Sequence, residues 1–288
     1  MMQDKDARTQ VQVTWFEVGY CTHPEAIVLP GGRWQSVQFP ALVALIQHPT
    51  LGNILFDTGY SDRFFRETRT FPNRLYALVT PVFLQPQDSL IHQLRQRGIA
   101  PDSIRTILIS HFHADHIGAL QDFPQAELVC AQSAYHAVKS KRGLWAVKAG
   151  FLPGLLPPDF EQRVRFVEQQ PRVPAFPDLF VEGFDVLGDR SLVAIELPGH
   201  ATGQLGLMFV DTQNHPYFLV ADACWASRAY QEFVTPHPLA QLIFSDSQAY
   251  QTTLKQLQQL HQKYPEIRIV PTHCLEFWRK QQALSLQG

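Results

Sequence analysis

Three histidines and an aspartate lie within six consecutive residues, directly after a short apolar segment of the chain. Residues 105–110 (RTILIS) have the composition of a buried β-strand, and residues 111–116 that follow have the sequence HFHADH. The pattern HxHxDH arises by chance in roughly one of a thousand chains of this composition. So many ionisable groups beside a core strand would be costly to bury unless they share a metal ion. The sequence therefore predicts a buried strand that ends in a metal site.

The spacing of these residues suits two ions. His111 and His113 are two positions apart on extended chain, so their side chains point the same way and can bind one ion at about 2.0–2.1 Å. Asp115 and His116 follow in the turn, where they can offer ligands to a second ion. Zinc is the first choice for a site rich in imidazole with few carboxylates, and iron and manganese remain alternatives.

Four residues cannot complete two metal sites, so further ligands are expected at the ends of other strands. Three candidates each follow a predicted strand: His200, Asp222 and His273. Open α/β sheets gather their sites at the carboxyl ends of strands, which favours one shared site for all three.

Short β-rich segments recur in both halves of the chain and alternate with helices. The predicted strands are residues 11–20, 39–48, 52–56, 105–110, 191–197, 206–211, 217–221 and 267–270. The predicted helices are residues 90–97, 245–260 and 275–284. Residues 21–33, which contain two prolines and two glycines, are expected to form a loop. This order predicts two sheets covered by helices, in two similar halves.

Composition excludes several classes of protein. The chain has 288 residues, of which 45% are hydrophobic and 17% charged, a balance typical of a globular protein and not of a disordered or fibrous one. Lys and Arg number 24 against 26 Asp and Glu, so no basic excess favours nucleic acid as a partner. We expect a single domain over residues 1–288, with a small molecule as its ligand. The oligomeric state is not predicted.

Targeting and cysteine patterns indicate the cytoplasm. The N-terminal residues are polar, and no apolar run is long enough for a membrane-spanning helix. The four cysteines are scattered and show no paired spacing, which favours free thiols. Two of them, Cys224 and Cys274, lie close in sequence to candidate ligands, and we expect them to be small buried side chains.

The whole motif set resembles the metallo-β-lactamase superfamily. It comprises HxHxDH, LPGH at residues 197–200, the Ala-Asp pair at Asp222, the Thr-His pair at His273 and an LFDTG strand end that contains Asp57, and the likeness extends from Val13 to about Trp278. The resemblance implies an α/β fold, an αβ/βα four-layer sandwich of two mixed sheets flanked by helices. It implies that two metals lie at one edge, where the ligands of the first are His111, His113 and His200. The implied ligands of the second are Asp115, His116 and His273, with Asp222 bridging both and Asp57 supporting the ligands from behind.

Within the superfamily, the chain is most similar to N-acyl-homoserine lactonases. Residues 18–59 carry this likeness, including Phe39-Pro40 at the start of a strand and the sequence NILFDTG. The resemblance implies a dinuclear metal-dependent hydrolase that uses a metal-bridging hydroxide to cleave a lactone or carboxylic ester. Asp115 and Asp222 would be catalytic, with Asp115 passing a proton to the leaving group. These lactonases carry a tyrosine where this chain has Trp225.

An apolar segment between the two halves is expected to shape the substrate pocket. Residues 143–160 (GLWAVKAGFLPGLLPPDF) are interrupted by Gly and Pro and cannot form a regular core helix. Either they are a packed surface insertion or they form a wall over the pocket, and we favour the wall. The expected substrate contacts are Trp145, Phe151, Leu152 and Trp225.

Two other functions remain open at this point. A phosphodiester or phosphotriester hydrolase could use the same metal site, but it would need basic side chains nearby, for which the candidates are Arg33, Lys148 and Arg228. A non-catalytic member that retains metals to bind a ligand is the second alternative. The complete ligand set argues against it, because no ligand position has been lost.

Overall fold

The computed structural model describes residues 9–176 and 178–285. Within them the strands, in chain order, are β1 (Gln12–Pro24), β2 (Ser36–His48), β3 (Gly52–Phe56), β4 (Val82–Phe83), β5 (Ile104–Leu108), β6 (Glu127–Cys130), β7 (Val164–Phe166), β8 (Arg172–Pro174), β9 (Glu182–Asp185), β10 (Val193–Glu196), β11 (Leu205–Val210), β12 (Pro216–Ala221) and β13 (Arg268–Pro271). One sheet has the order β4-β1-β2-β3-β5-β6-β7, and the other has the order β13-β12-β11-β10-β9-β8. Both sheets mix parallel and antiparallel pairs.

Helices connect and cover these sheets. In the described residues they are α1 (Glu25–Val28), α2 (Asp62–Glu67), α3 (Arg74–Val79), α4 (Leu90–Gln96), α5 (Ala114–Ile117), α6 (Gln132–Val138), α7 (Gly143–Lys148), α8 (Phe160–Arg163), α9 (Ser227–Glu232), α10 (Pro238–Gln241), α11 (Ser247–Lys263) and α12 (Leu275–Ser285). The predicted α/β class, with two mixed sheets flanked by helices, is confirmed. No helix of these ranges has the length and apolar character that crossing a bilayer requires.

Alternation along the strands of the second sheet explains its two covered faces. On β11, Leu205 and Leu207 join the core cluster between the sheets, whereas Met208 joins the cluster on the outer face. The outer face receives α11, whose buried Leu254 and Leu257 recur at helical spacing. Apolar side chains on both faces therefore bury the sheet between two layers.

The first sheet departs from prediction at its longest strand. Residues 21–24, expected in a loop, continue β1, and the helix α1 follows directly. The pairing of β1 with β2 shifts register between Glu17 and Tyr20, beside Gly19 at φ 77°. A bulge at that glycine lets the strand bend and continue, which a simple alternation pattern does not reveal. No periodicity predicted the short strands β6 to β9, because three or four residues are too few to show one.

The strand ends of both sheets meet at one edge of the molecule. The parallel pairs β3–β5 and β12–β13 point their carboxyl ends there. Hydrogen bonds join the sheets at this edge: Leu205 N–H donates to Ser110 O at 2.9 Å, and Leu42 N–H donates to Thr272 O at 3.2 Å. The residues that directly follow these strands are consequently held close to one another at this edge.

Candidate metal centre

The predicted metal ligands converge at this edge in two groups. One group contains His111, His113, His200 and Asp222, and the other contains Asp115, His116 and His273. Within each group the candidate ligand atoms lie within 4.8 Å of one another, and all seven side chains are buried. Each group can therefore hold one divalent ion, and the grouping matches the division that the motif resemblance implied.

Asp222 lies between the two groups. Its Oδ2 is 3.3 Å from His200 Nε2 on one side and 3.3 Å from His273 Nε2 on the other, while its Oδ1 is 3.3 Å from His116 Nε2. Oδ2 of this carboxylate is therefore close to a ring of each group, and Oδ1 is close to a second ring of the group that contains His116. The residue before it, Ala221, has φ 46°, a left-handed conformation that turns the chain sharply at the end of β12.

Protein groups fix the orientation of three ligand rings from behind. His116 Nδ1 hydrogen-bonds Asp57 Oδ2 at 2.7 Å, His111 Nδ1 lies 3.0 Å from Ser110 Oγ, and His273 Nδ1 donates to Pro40 O at 2.7 Å. Asp57 also accepts hydrogen bonds from Ser110 N–H at 2.7 Å and Ser110 Oγ at 2.8 Å. With Nδ1 occupied, each Nε2 turns toward the centre as a ligand atom.

Two residues at this edge, Asp57 and Gly199, have a positive φ. Asp57 has φ 61°, a left-handed conformation that short polar residues adopt at modest cost. Gly199, at φ 133°, brings the loop before His200 against α11, and a Cβ there would overlap the backbone of Tyr250. The start of α11 also bonds this loop, since Asp246 N–H donates to Gly199 O at 2.9 Å. Helix α11 thus holds His200 in place.

The protonation of the rings differs between the two groups. Burial lowers the pKa of His200 to about 3 and that of His111 well below the ordinary imidazole value, so both rings are neutral. Burial also opposes charge on His116 and His273, but the neighbouring carboxylates outweigh it and raise their pKa well above the ordinary value.

The buried polar atoms fit a pair of divalent cations. In the described residues, His111 Nε2, His116 Nε2 and Asp222 Oδ1 are buried without a hydrogen-bond partner. His200 Nε2 and His113 Nδ1 face each other at 3.0 Å. Neutral imidazole and carboxylate atoms aimed at a common point are the ligands that zinc prefers, although iron and manganese accept the same set.

A cavity of about 280 Å³ opens on this centre. Five metal-ligand candidates form its floor, and its walls are mostly apolar: Val28, Phe39, Tyr60, Tyr76, Val79, Leu239 and Ile243. Neither Lys nor Arg lines it among the described residues. Arg33, Lys148 and Arg228 all lie outside its lining, although Lys148 lines a neighbouring groove that shares His113 with the cavity. Arg228 pairs with Glu232 at 2.8 Å.

The residues predicted to contact the substrate lie in three different environments. Trp225 lines the cavity, and its indole Nε1 donates to Asp222 Oδ2 at 2.9 Å. Phe151 is 1% exposed and packs on Phe112, and Leu152 is fully buried, which corrects the expectation that they contact substrate. Trp145 is 70% exposed and lines a second groove that shares His113 with the cavity. Residues 143–160 therefore contribute both core packing and a groove wall.

The sequence did not point to several side chains of the cavity. Cys21 and Tyr60 both line it. Burial raises the pKa of Cys21 to about 12 and that of Tyr60 well above its usual value, so both stay protonated. Tyr60 directly follows the DTG turn, the one signal that could have indicated it. Cys224 and Cys274 are buried, as expected for small apolar side chains.

Comparison with known proteins agrees with this geometry. A family model described as the metallo-beta-lactamase superfamily matches residues 37–273. The chain belongs to the metallo-β-lactamase superfamily. The sequence-based prediction of a metal-dependent hydrolase of this superfamily is thereby confirmed.

Several of the similar proteins and solved structures are described as lactonases. N-acyl homoserine lactonase AttM of Rhizobium radiobacter is 25% identical over 217 residues, which cover 74% of this chain and 75% of that protein. An N-acyl homoserine lactone hydrolase, solved with N-hexanoyl-L-homoserine at its catalytic metal centre, has a TM-score of 0.73 at 17% identity and covers 94% of this chain and 96% of its own. AidC, a dizinc quorum-quenching lactonase, has a TM-score of 0.63 at 14% identity, with 94% and 90% covered. The two structures establish likeness of fold.

Proposed function

We propose that this protein hydrolyses lactones or carboxylic esters with two divalent metal ions, most simply zinc. The observation that carries the proposal is a complete set of seven buried ligand candidates, five of which form the floor of an apolar cavity. Likeness to AttM and to the dizinc AidC supports lactones as the substrate class and zinc as the metal. When bound, the two ions would lower the pKa of water to give a nucleophile at neutral pH and would polarise the substrate carbonyl.

We infer that Asp115 moves the proton released in this reaction. Burial favours its neutral form, but the adjacent His116 and His273 outweigh burial and lower the pKa of Asp115 to about 2. Asp115 therefore stays ionised, and its Oδ2 lies 3.2 Å from His273 Nε2 beside the cavity. An ionised carboxylate there can accept a proton and pass it to the leaving alkoxide.

Trp225 fixes the position of the Asp222 carboxylate beside the metal ligands. The neutral indole N–H leaves the charge of the carboxylate in place while it restricts rotation of the side chain. Trp225 also packs edge-on against His200, with ring centroids 5.7 Å apart. The apolar walls of the cavity exclude water from the acyl group of the substrate, which strengthens electrostatic interactions inside.

The lining of the cavity favours acyl compounds over phosphoesters. A phosphodiester brings a charge that Lys or Arg commonly neutralises, and neither lines the cavity among the described residues. A neutral lactone or ester requires no such partner, and the walls provide apolar contacts for its carbon chain.

A hydrolysis assay with defined metal content tests the proposal. Zinc-loaded protein should hydrolyse N-hexanoyl-homoserine lactone or a neutral nitrophenyl ester, and chelator-treated protein should not until zinc is restored. Asp222→Asn should lose nearly all turnover, whereas Asp102→Asn, the same charge change at an exposed site, should retain it. Metal-loaded protein without activity on lactones and esters, but with activity on phosphodiesters, would overturn the assignment.

A further inference from the structure

A second groove adjoins the metal ligands and the main cavity. It has a volume of about 260 Å³ and shares three lining residues with the metal-facing cavity: His113, His200 and Ile243. A molecule whose reactive carbonyl lies at the metals can therefore extend a second arm into this groove. The main cavity then needs to accommodate only part of the substrate.

The lining of the groove combines apolar side chains with polar ones, among them two ammonium groups. Phe112 and Val138 are buried at its base, and Trp145, Leu242 and Phe244 form its sides. Lys141 and Lys148 also line it, and no Asp or Glu does so among the described residues.

Neither lysine is neutralised by the protein. No ion pair or side-chain hydrogen bond joins Lys141 or Lys148 to another described residue, and Lys141 is half-buried. Several other basic side chains pair with carboxylates; for instance, Arg163 pairs with Asp159 at 3.0 Å and Lys280 pairs with Glu276 at 2.8 Å. Residues 132–158 contain four Lys and Arg and no Asp or Glu, in a chain whose net charge is −2. Positive charge is thus concentrated on this side of the site.

The segment that carries these lysines is fixed to the metal centre. Helix α7 ends at Lys148, and two residues later Gly150 packs its backbone against the His113 ring so closely that a Cβ would overlap the ring. Gly150 O also accepts a hydrogen bond from Ala114 N–H at 3.1 Å. The backbone at Lys148 therefore has a defined position relative to a metal ligand, and the exposed Lys148 side chain extends from the end of helix α7.

We propose that this groove binds an anionic group of the substrate, a carboxylate or phosphate joined through an apolar chain to the scissile ester or lactone. The proposal rests on the hydrolase function given above and specifies the substrate class. The apolar lining takes the chain, and the two unpaired ammonium groups pair with its charged end. The preferred substrate is then an amphiphilic anion, in contrast to a neutral acyl lactone.

Matched esters test the substrate class directly. Nitrophenyl octanoate and the nitrophenyl monoester of suberic acid share a chain length and differ in a terminal carboxylate. Wild-type protein should show a higher kcat/KM for the anionic ester. The ratio of the two kcat/KM values should fall about threefold in Lys141→Gln and in Lys148→Gln and about tenfold in the double variant. Lys139→Gln, the same charge change on a neighbouring side chain outside the groove, should keep the ratio.

Binding measurements separate this proposal from the hydrolase function. Calorimetric titration with suberic acid monoanilide and with neutral octananilide needs no turnover. Tighter binding of the anionic anilide that disappears in the double variant supports the groove even if neither ester is hydrolysed, in which case the proposed function alone fails. Equal binding of both anilides, or a preference for the anion that persists in the double variant because the carboxylate binds the metals, overturns the groove assignment.

Discussion

The indole Nε1 of Trp225 donates a hydrogen bond of 2.9 Å to Oδ2 of Asp222, the carboxylate that lies between the two groups of metal ligands. The other carboxylate oxygen, Oδ1, is buried without a hydrogen bond among the described residues. Trp225 thereby restrains the oxygen that also lies 3.3 Å from His200 Nε2 and from His273 Nε2. Its N–H is already used in this arrangement, so Trp225 acts on the substrate through Asp222.

Replacing Trp225 with Phe should slow turnover more than it weakens substrate binding. The Phe ring retains the apolar packing near His200 and Phe244, but the donor to Asp222 is lost. A hydrogen bond to a charged group contributes about 1.5–3 kcal/mol, so we expect kcat to fall about tenfold, with a smaller change in KM. Steady-state kinetics on a neutral ester measure both quantities. An unchanged kcat with a raised KM would instead make Trp225 a wall residue only.

Asp57→Asn should weaken metal binding without disturbing the fold. Asn tolerates the left-handed backbone at φ 61°, but the amide cannot hold the His116 ring as the carboxylate does. Loss of such a supporting carboxylate typically costs about 10- to 100-fold in metal affinity. Competition with a chromogenic chelator gives the affinity, with exposed Asp62→Asn as the matched control. Equal metal affinities for the two variants would show that Asp57 does not support metal binding.

The two ions should differ in their response to pH. His116 and His273 carry a raised pKa in the metal-free fold, so they must release protons before they can bind an ion. His111 and His200 have a lowered pKa and are already neutral at physiological pH. Affinity for the second ion should therefore rise with pH through the neutral range, while affinity for the first should change little.

Calorimetric zinc titrations in buffers of different ionisation enthalpy count the released protons. Proton release should accompany one of two binding events. Release that is equal in both events, or that accompanies neither, would show that the carboxylates do not hold protons on His116 and His273.

Gly199→Ala should destabilise the fold and the metal site together. A Cβ at this position overlaps the backbone of Tyr250, and φ 133° is a conformation that alanine rarely adopts. We expect a loss of about 2 kcal/mol or more in the free energy of unfolding, measured by urea denaturation. Gly98→Ala, at φ 71° with no neighbour within 4 Å of its Cβ, should cost only about 1 kcal/mol. Equal losses of unfolding free energy in the two variants would mean that the loop before His200 can shift to accommodate a Cβ at little cost.

Local sequence patterns were sufficient to predict most of the candidate ligands of the metal centre. His111, His113, Asp115 and His116 lie within one short motif, and the later ligands each follow a strand whose end the apolar pattern marks. The two sheets were predictable for the same reason, since their longer strands are apolar runs rich in residues that favour β-structure. Residues that come to the site only because of the tertiary fold could not be predicted. Cys21, for example, lies on a strand that continues past a bulge, and both Cys21 and Tyr60 line the cavity.

The substrate contacts show the other limit of sequence reasoning. Residues 143–160 are rich in Gly and Pro and have no helical or strand period, so nothing in them distinguishes an inward side chain from an outward one. Phe151 was expected at the substrate and lies in the core, whereas Trp145 was expected there and is largely exposed at the second groove. The hydrogen bond from Trp225 to Asp222 likewise depends on a rotamer that a sequence does not specify.

Metal content is the most direct test of the central claim, a dinuclear centre that this chain builds from its own side chains. Elemental analysis of protein purified without chelator should approach two divalent ions per chain, mainly zinc, because seven buried ligand candidates in two groups exceed the needs of one tetrahedral ion. A reproducible content of about one ion or less per chain, unchanged after incubation with excess zinc and dialysis, would contradict the account.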